Sequence, residues 1–138
     1  MTSTPSLMLA LVLGATLAGC GSDPSAPAAL SGGEPVFTVA IGTETFKVQA
    51  TSAATLAALR ARMQSGTRGV IIGSLVSGDG GVNAPYQWHL DPATVAVADV
   101  AAEVCDGRPS DVEGNLSYWI STVRRFCPWA AKVVSEQS

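Results

Sequence analysis

The stretch Val36-Phe37-Thr38-Val39-Ala40-Ile41-Gly42-Thr43-Glu44-Thr45-Phe46-Lys47-Val48-Gln49-Ala50 decides the fold class. Its first six residues are β-rich. Gly42-Thr43 is a Gly-X pair suited to a two-residue turn, and Phe46 and Val48 then alternate with Lys47 and Gln49. That pattern predicts a hairpin. Directly after it, Thr51 or Ser52 can cap a helix in which Leu56, Leu59 and Met63 recur at helical spacing, and Gly66 stops it.

Downstream, Val70 to Val76 is a β-branched run ending in the loop residues Ser77-Gly78-Asp79-Gly80-Gly81. Tyr86, Trp88 and Leu90 then share one strand face, Gln87 and His89 the other, until Asp91-Pro92 breaks the strand. Thr94 to Cys105 is rich in Ala and Val and predicts one long or two short strands. Ser110 and Glu113 match the S-x-x-E capping box of a second helix with apolar Val112, Leu116, Trp119, Ile120 and Val123. Arg124 and Arg125 suit its last turn, and Trp129 to Val134 would close the sheet. The expected class is α+β, a mainly antiparallel sheet with two helices packed on it, in a single domain over residues 36–138.

Upstream, Leu7 to Ala18 is uncharged and apolar. It is shorter than the about 20 residues a permanent span needs and suits the core of a secretory signal. Leu17-Ala18-Gly19-Cys20 resembles the lipobox of bacterial lipoproteins. The resemblance implies a signal peptide over 1–19, cleavage before Cys20 and lipid (palmitate among it) on Cys20. The leader MTSTPS departs from the usual pattern in having no Lys or Arg. Gly21 to Pro35 is dense in Ser, Pro, Ala and Gly, so residues 20–35 form a lipidated Cys followed by a disordered tether. The lipoprotein resemblance further implies, from Gly21 at the position where an Asp can signal inner-membrane retention in some diderm bacteria, transport to the outer membrane, facing periplasm or cell surface. The expected location is the bacterial cell envelope, with the membrane as a partner through the lipid.

The chain of 138 residues allows one ordinary domain, and 8 Lys+Arg against 11 Asp+Glu give a net charge of −3, which argues against a nucleic-acid partner. Three cysteines are present. With Cys20 assigned to lipid, Cys105 and Cys127 should form a disulfide in an exported protein. A metal site or a reactive thiol is the alternative, disfavoured because no CxxC occurs and His89 is the only histidine. Neither metal nor cofactor is expected.

Few residues invite chemistry. His89 could act as a general base with Asp91 or Glu103, but no G-x-S-x-G elbow or H-E-x-x-H helix accompanies it, and a structural or surface histidine is the simpler reading. The Gly78–Asn83 loop could cradle an anion or offer Asp79 and Asn83 to calcium. The calcium-loop template fails there, with Gly81 at its third position and no Glu at its twelfth. Asp106, Asp111 and Glu113 could suit a hard cation, although a turn and a helix start account for all three. Six aromatic residues (Tyr86, Trp88, Tyr118, Trp119, Phe126 and Trp129) are what one core would need; an exposed face of them would suit a peptide or glycan. Trp88 and Arg108 complete the binding candidates.

Three segments stand out together: Tyr86-Gln87-Trp88-His89-Leu90-Asp91-Pro92, Glu103-Val104-Cys105-Asp106-Gly107-Arg108-Pro109-Ser110-Asp111-Val112-Glu113 and Arg125-Phe126-Cys127-Pro128-Trp129. They are similar to motifs of a small secreted bacterial family catalogued by its likeness to the N-terminal region of a slime-mould calmodulin-binding protein. The resemblance covers Phe46 to Val134. It implies the Cys105–Cys127 pairing and a compact α+β fold, and it brings no activity or catalytic residues. The expected function is a lipid-anchored envelope protein with a disulfide-bonded binding domain for a protein, peptide or glycan. The alternatives are a small hydrolase using His89 with a carboxylate, and an inhibitor presenting the Gly78–Pro85 loop.

Overall fold

The computed structural model describes residues 33–138; Cys20, the signal segment and most of the tether lie outside the described residues. Strands β1 (Val36–Ile41) and β2 (Glu44–Gln49) form the expected hairpin, paired from Ile41↔Glu44 to Val36↔Gln49 across the Gly42-Thr43 turn. The register buries Phe37, Val39 and Ile41 on one strand and Phe46 and Val48 on the other. Helix α1 (Ala53–Ser65) follows; the Ser52 hydroxyl accepts from the Thr55 N–H, and Gly66 ends the helix in the left-handed region. Leu59 is fully buried, with Leu56 and Met63 half-buried beside it.

Strand β3 (Val70–Ser77) organises a second sheet. Along one edge it pairs with β4 (Trp88–Leu90) and then β5 (Ala96–Ala98), which act as one antiparallel partner interrupted at residues 91–95. Ser74 bridges the interruption: its N–H donates to the Thr94 hydroxyl and its carbonyl accepts from the Asp91 N–H. On the other edge the Leu75 N–H donates to the Arg124 carbonyl, and β6 (Arg125–Phe126) pairs with Gly73 and Ser74. Strand β7 (Lys132–Gln137) returns to pair with β1, and the bridge Gly69↔Ala131 joins the two sheets. All strand pairs are antiparallel, and the fold is α+β with mainly sheet.

The core lies between the sheets. Phe46, Trp88 and Phe126 form a triangle with ring centroids 5.3–5.8 Å apart, and Trp119 meets Phe126 edge-on at 6.0 Å. Such pairs add about 0.5–1.5 kcal/mol each beyond area burial. The Trp88 indole N–H finds no acceptor among these rings, a local cost of about 1–3 kcal/mol set against the burial of the largest core side chain.

Three local expectations are corrected. The second helix does not start from a Ser110–Glu113 box. Helix α2 spans Pro109–Gly114, with Arg108 at the N-cap and the Asp111 carboxylate accepting from the Arg108 N–H at 2.8 Å. Proline suits the first helical turn because its missing N–H would be unpaired there anyway. Ser110 and Glu113 are engaged elsewhere: Ser110 donates through both N–H and hydroxyl to Glu44, and Glu113 accepts from the Gln87 N–H.

Nor is that helix continuous. The chain breaks at Asn115 (φ −143°, ψ 48°), resumes as α3 (Leu116–Tyr118) and closes with a wide turn over Trp119–Val123, where the Arg124 N–H reaches the Trp119 carbonyl. Arg124 takes φ 66°, and Arg125 has already entered β6. Third, the Thr94–Cys105 segment holds only the short β5 and a single turn of 3-10 helix at Glu103–Cys105, and the closing strand starts at Lys132, after Trp129 and Ala130 have turned. Ala and Val content does not distinguish a paired strand from an exposed linker such as Val100.

Candidate functional site

Cys105 and Cys127 are joined by a disulfide, their Cα atoms 5.1 Å apart, and the Cys127 N–H donates to the Cys105 carbonyl at 2.8 Å. Val70, Ile72, Ala98, Ala101 and Val123 pack around the bond. The disulfide sets the segment before α2 beside the segment after β6. A second tie lies next to it. One oxygen of the Asp106 carboxylate accepts from the Gly107 N–H at 2.9 Å and from the Trp129 N–H at 3.0 Å. Asp106 therefore fixes the backbone of Trp129 while the ring stays 41% exposed.

Trp129 and its chain neighbour Ala130 line two different concavities. One, of about 380 Å³, is lined by Trp129, Val70, Asp99, Val100 and Ala101. Val100 is 83% exposed, and Val104, also exposed, lies four residues further along. Ala130 lines a cleft of about 360 Å³ together with Arg68, Arg108, Glu44 and the Gly42-Thr43 turn. Glu44 is held by its two hydrogen bonds from Ser110. Among the described residues, no carboxylate lies within ion-pair distance of Arg68 or Arg108, whereas Arg60 pairs with Glu136 and Arg62 with Asp99.

The sequence-derived candidates are dispersed. Trp88 has 0% exposure and offers no surface to a ligand, which corrects its place among the binding residues. Asn83 is 1% exposed, and its amide serves the fold: Oδ1 accepts from the Lys47 N–H at 2.7 Å and Nδ2 donates to the Trp88 carbonyl at 2.8 Å. Asp79 accepts from the Gly81 N–H within its own loop. His89 is half-buried, with Nδ1 2.7 Å from the Gly78 carbonyl; since that oxygen can only accept, Nδ1 carries the proton. Its ring lies against Gly80, where a Cβ would come within 2.6 Å of it. Asp91 accepts from the Ala93 N–H in a turn, and Glu103 is exposed on the single helical turn before Cys105. Neither makes a hydrogen bond or ion pair with His89 among the described residues. Of the candidates, Arg108 lines the 360 Å³ cleft.

The family model described as the BP-74 N-terminal domain matches residues 34–138. The chain belongs to this family. The match takes in nearly all of the described domain, including the hairpin strand Val36–Ile41 that the sequence resemblance left outside. No curated protein and no solved structure matches the chain. The family's domain is thus here a two-sheet α+β unit whose two Cys-bearing segments are tied by one disulfide and by Asp106.

Sequence reasoning missed Arg68, weighed Asp106 only as a cation ligand or turn residue, and counted Trp129 and Tyr118 with the core, although both side chains are exposed. For Trp129 a signal existed. It sits between the rigid Cys127-Pro128 and two alanines, a short segment with no alternation to carry its ring inward. Arg68 carries no such mark: it is far from Arg108 in sequence and shares a cleft with it only in the folded chain, next to the Gly69↔Ala131 bridge.

Proposed function

We propose that this domain is the binding module of a lipid-anchored cell-envelope protein, and that it recognises its ligand through the Trp129 segment. The observation that carries this reading is the large, exposed Trp129 ring on a backbone immobilised by a disulfide two residues away and by Asp106. An aromatic anchor held in place before binding loses little conformational freedom when it docks. The exposed Val100 and half-buried Ala101 beside it supply the apolar floor such a ring shares with a ligand.

Anchoring at the envelope, on the outer membrane, is supported by the lipobox-like Leu17-Ala18-Gly19-Cys20 and the Ser/Pro/Ala/Gly tether behind it. Among the described residues no helix is long and apolar enough to cross a membrane. The hydrolase reading draws no support from His89, whose Nδ1 is engaged by a main-chain carbonyl.

The test is capture from envelope extract by the wild-type chain and by Trp129→Ala. The expected result is a component retained by the wild type and lost from a variant of unchanged melting temperature. Equal retention by both would overturn the reading. Cys20→Ala should in parallel abolish labelling by a palmitate analogue; persistent labelling would contradict the anchor.

A further inference from the structure

We infer that the Arg68/Arg108 cleft receives a single carboxylate from a partner's peptide chain, whose neighbouring aliphatic side chain rests against Trp129 and Val100. The inference rests on the binding reading above and names its ligand class. It starts from a grouping. In a chain of net charge −3, four arginines (Arg68, Arg108, Arg124 and Arg125) have no carboxylate within ion-pair distance among the described residues, and two of them, Arg68 and Arg108, line one cleft. Two like charges on one concave surface raise the local potential for an anion, and a guanidinium offers its paired donors to a planar carboxylate.

The charge count selects the ligand. Glu44 lines the same cleft, so the lining carries two positive charges and one negative. A monoanion completes that set; a phosphate dianion would meet Glu44 with excess charge. The surface across Ala130 selects the rest. Val100 and Ala101 are aliphatic and accessible, with Asp99 already paired to Arg62, so the wall beside Trp129 suits an aliphatic side chain. A sugar would leave its hydroxyl groups largely without partners there. An Asp or Glu one or two residues from a Leu, Ile or Val has both features.

The experiment uses the full chain in detergent and fluorescence anisotropy with a set of labelled hexapeptides. Each places Asp at one or two residues from Leu, Ile or Val, with Asn-for-Asp counterparts; inorganic phosphate and oligogalacturonate serve as competitors. At least one Asp peptide should bind and lose about tenfold or more in affinity on the change to Asn, since a hydrogen bond to a charged group is worth roughly that much. Arg68→Gln and Arg108→Gln should each weaken the Asp peptide to a similar degree and leave the Asn peptide unchanged. Trp129→Ala should weaken both peptides alike. Binding of no Asp peptide, equal binding of Asp and Asn forms, or displacement by phosphate or oligogalacturonate at lower concentration than by unlabelled Asp peptide would each overturn the inference. If Asp and Asn forms bind equally but depend on Trp129, the carboxylate assignment falls and the binding reading stands. If binding depends on both arginines and ignores Trp129, the binding reading as placed here falls instead.

Discussion

The Asn83 side-chain amide donates to the Trp88 carbonyl at 2.8 Å while its oxygen accepts from the Lys47 N–H at 2.7 Å, so one buried residue joins the 78–87 loop to a strand of each sheet. Asn83→Ala would leave a buried donor and a buried acceptor unpaired. Each such loss costs roughly 1–3 kcal/mol, so a destabilisation of about 3 kcal/mol is expected in urea unfolding, with the slope unchanged. A loss below about 1 kcal/mol would mean that the loop is not held from this residue.

The same loop depends on His89 and Gly80. Gly80 has φ +61°, and a Cβ there would collide with the imidazole. Gly80→Ala therefore combines backbone strain with displacement of the ring and should destabilise by about 2 kcal/mol. In the His89→Ala background the collision disappears and only the strain remains, so the double variant should cost clearly less than the sum of the two single changes. Strict additivity would contradict the contact.

The disulfide closes a separation of 22 residues. On the loop-entropy account such a link contributes about 3 kcal/mol. The paired change Cys105→Ala with Cys127→Ala should lower stability by that order, and the wild-type protein purified without reductant should show no free thiol from these positions under denaturing conditions. Two titratable thiols would contradict it.

Acid dependence can be assigned at one pair. The Arg60 guanidinium, by hydrogen bonding first, holds the Glu136 carboxyl below its ordinary range. A carboxyl whose folded value is depressed contributes stability above its unfolded value, near about 4.3, and loses that contribution as pH falls through the folded one. The Arg60 side chain is exposed and that of Glu136 partly so, and the pair lies at the surface, so the effect is small. Thermal unfolding should show a slightly shallower loss between about pH 5 and pH 3 for Arg60→Gln than for the wild type. An unchanged or steeper loss would show that the pair does not act in solution.

Much of the fold was legible because periodicity reports which side is buried. The β1–β2 hairpin, α1 with its Ser52 cap, and the inward Trp88 and Leu90 all follow from alternation or helical spacing. What failed were assignments that depend on distant partners. Ser110 and Glu113 have the right spacing for a capping box, but Glu44 and Gln87 compete for them across the fold. The disulfide was legible by counting cysteines. The surface around it was not, since exposure of Trp129 and the approach of Arg68 to Arg108 depend on how β6, β7 and β3 are joined.

The central claim, recognition through the Trp129 segment, is tested most directly by contact in the cell. A photo-crosslinking amino acid placed at Ala130, beside Trp129, is compared with the same group at Ala57, exposed on α1. The account predicts a discrete adduct on illumination from position 130, absent from position 57 and abolished from position 130 by Trp129→Ala. An adduct from position 57 with none from position 130, or one from position 130 that persists in the Trp129→Ala background, would contradict it.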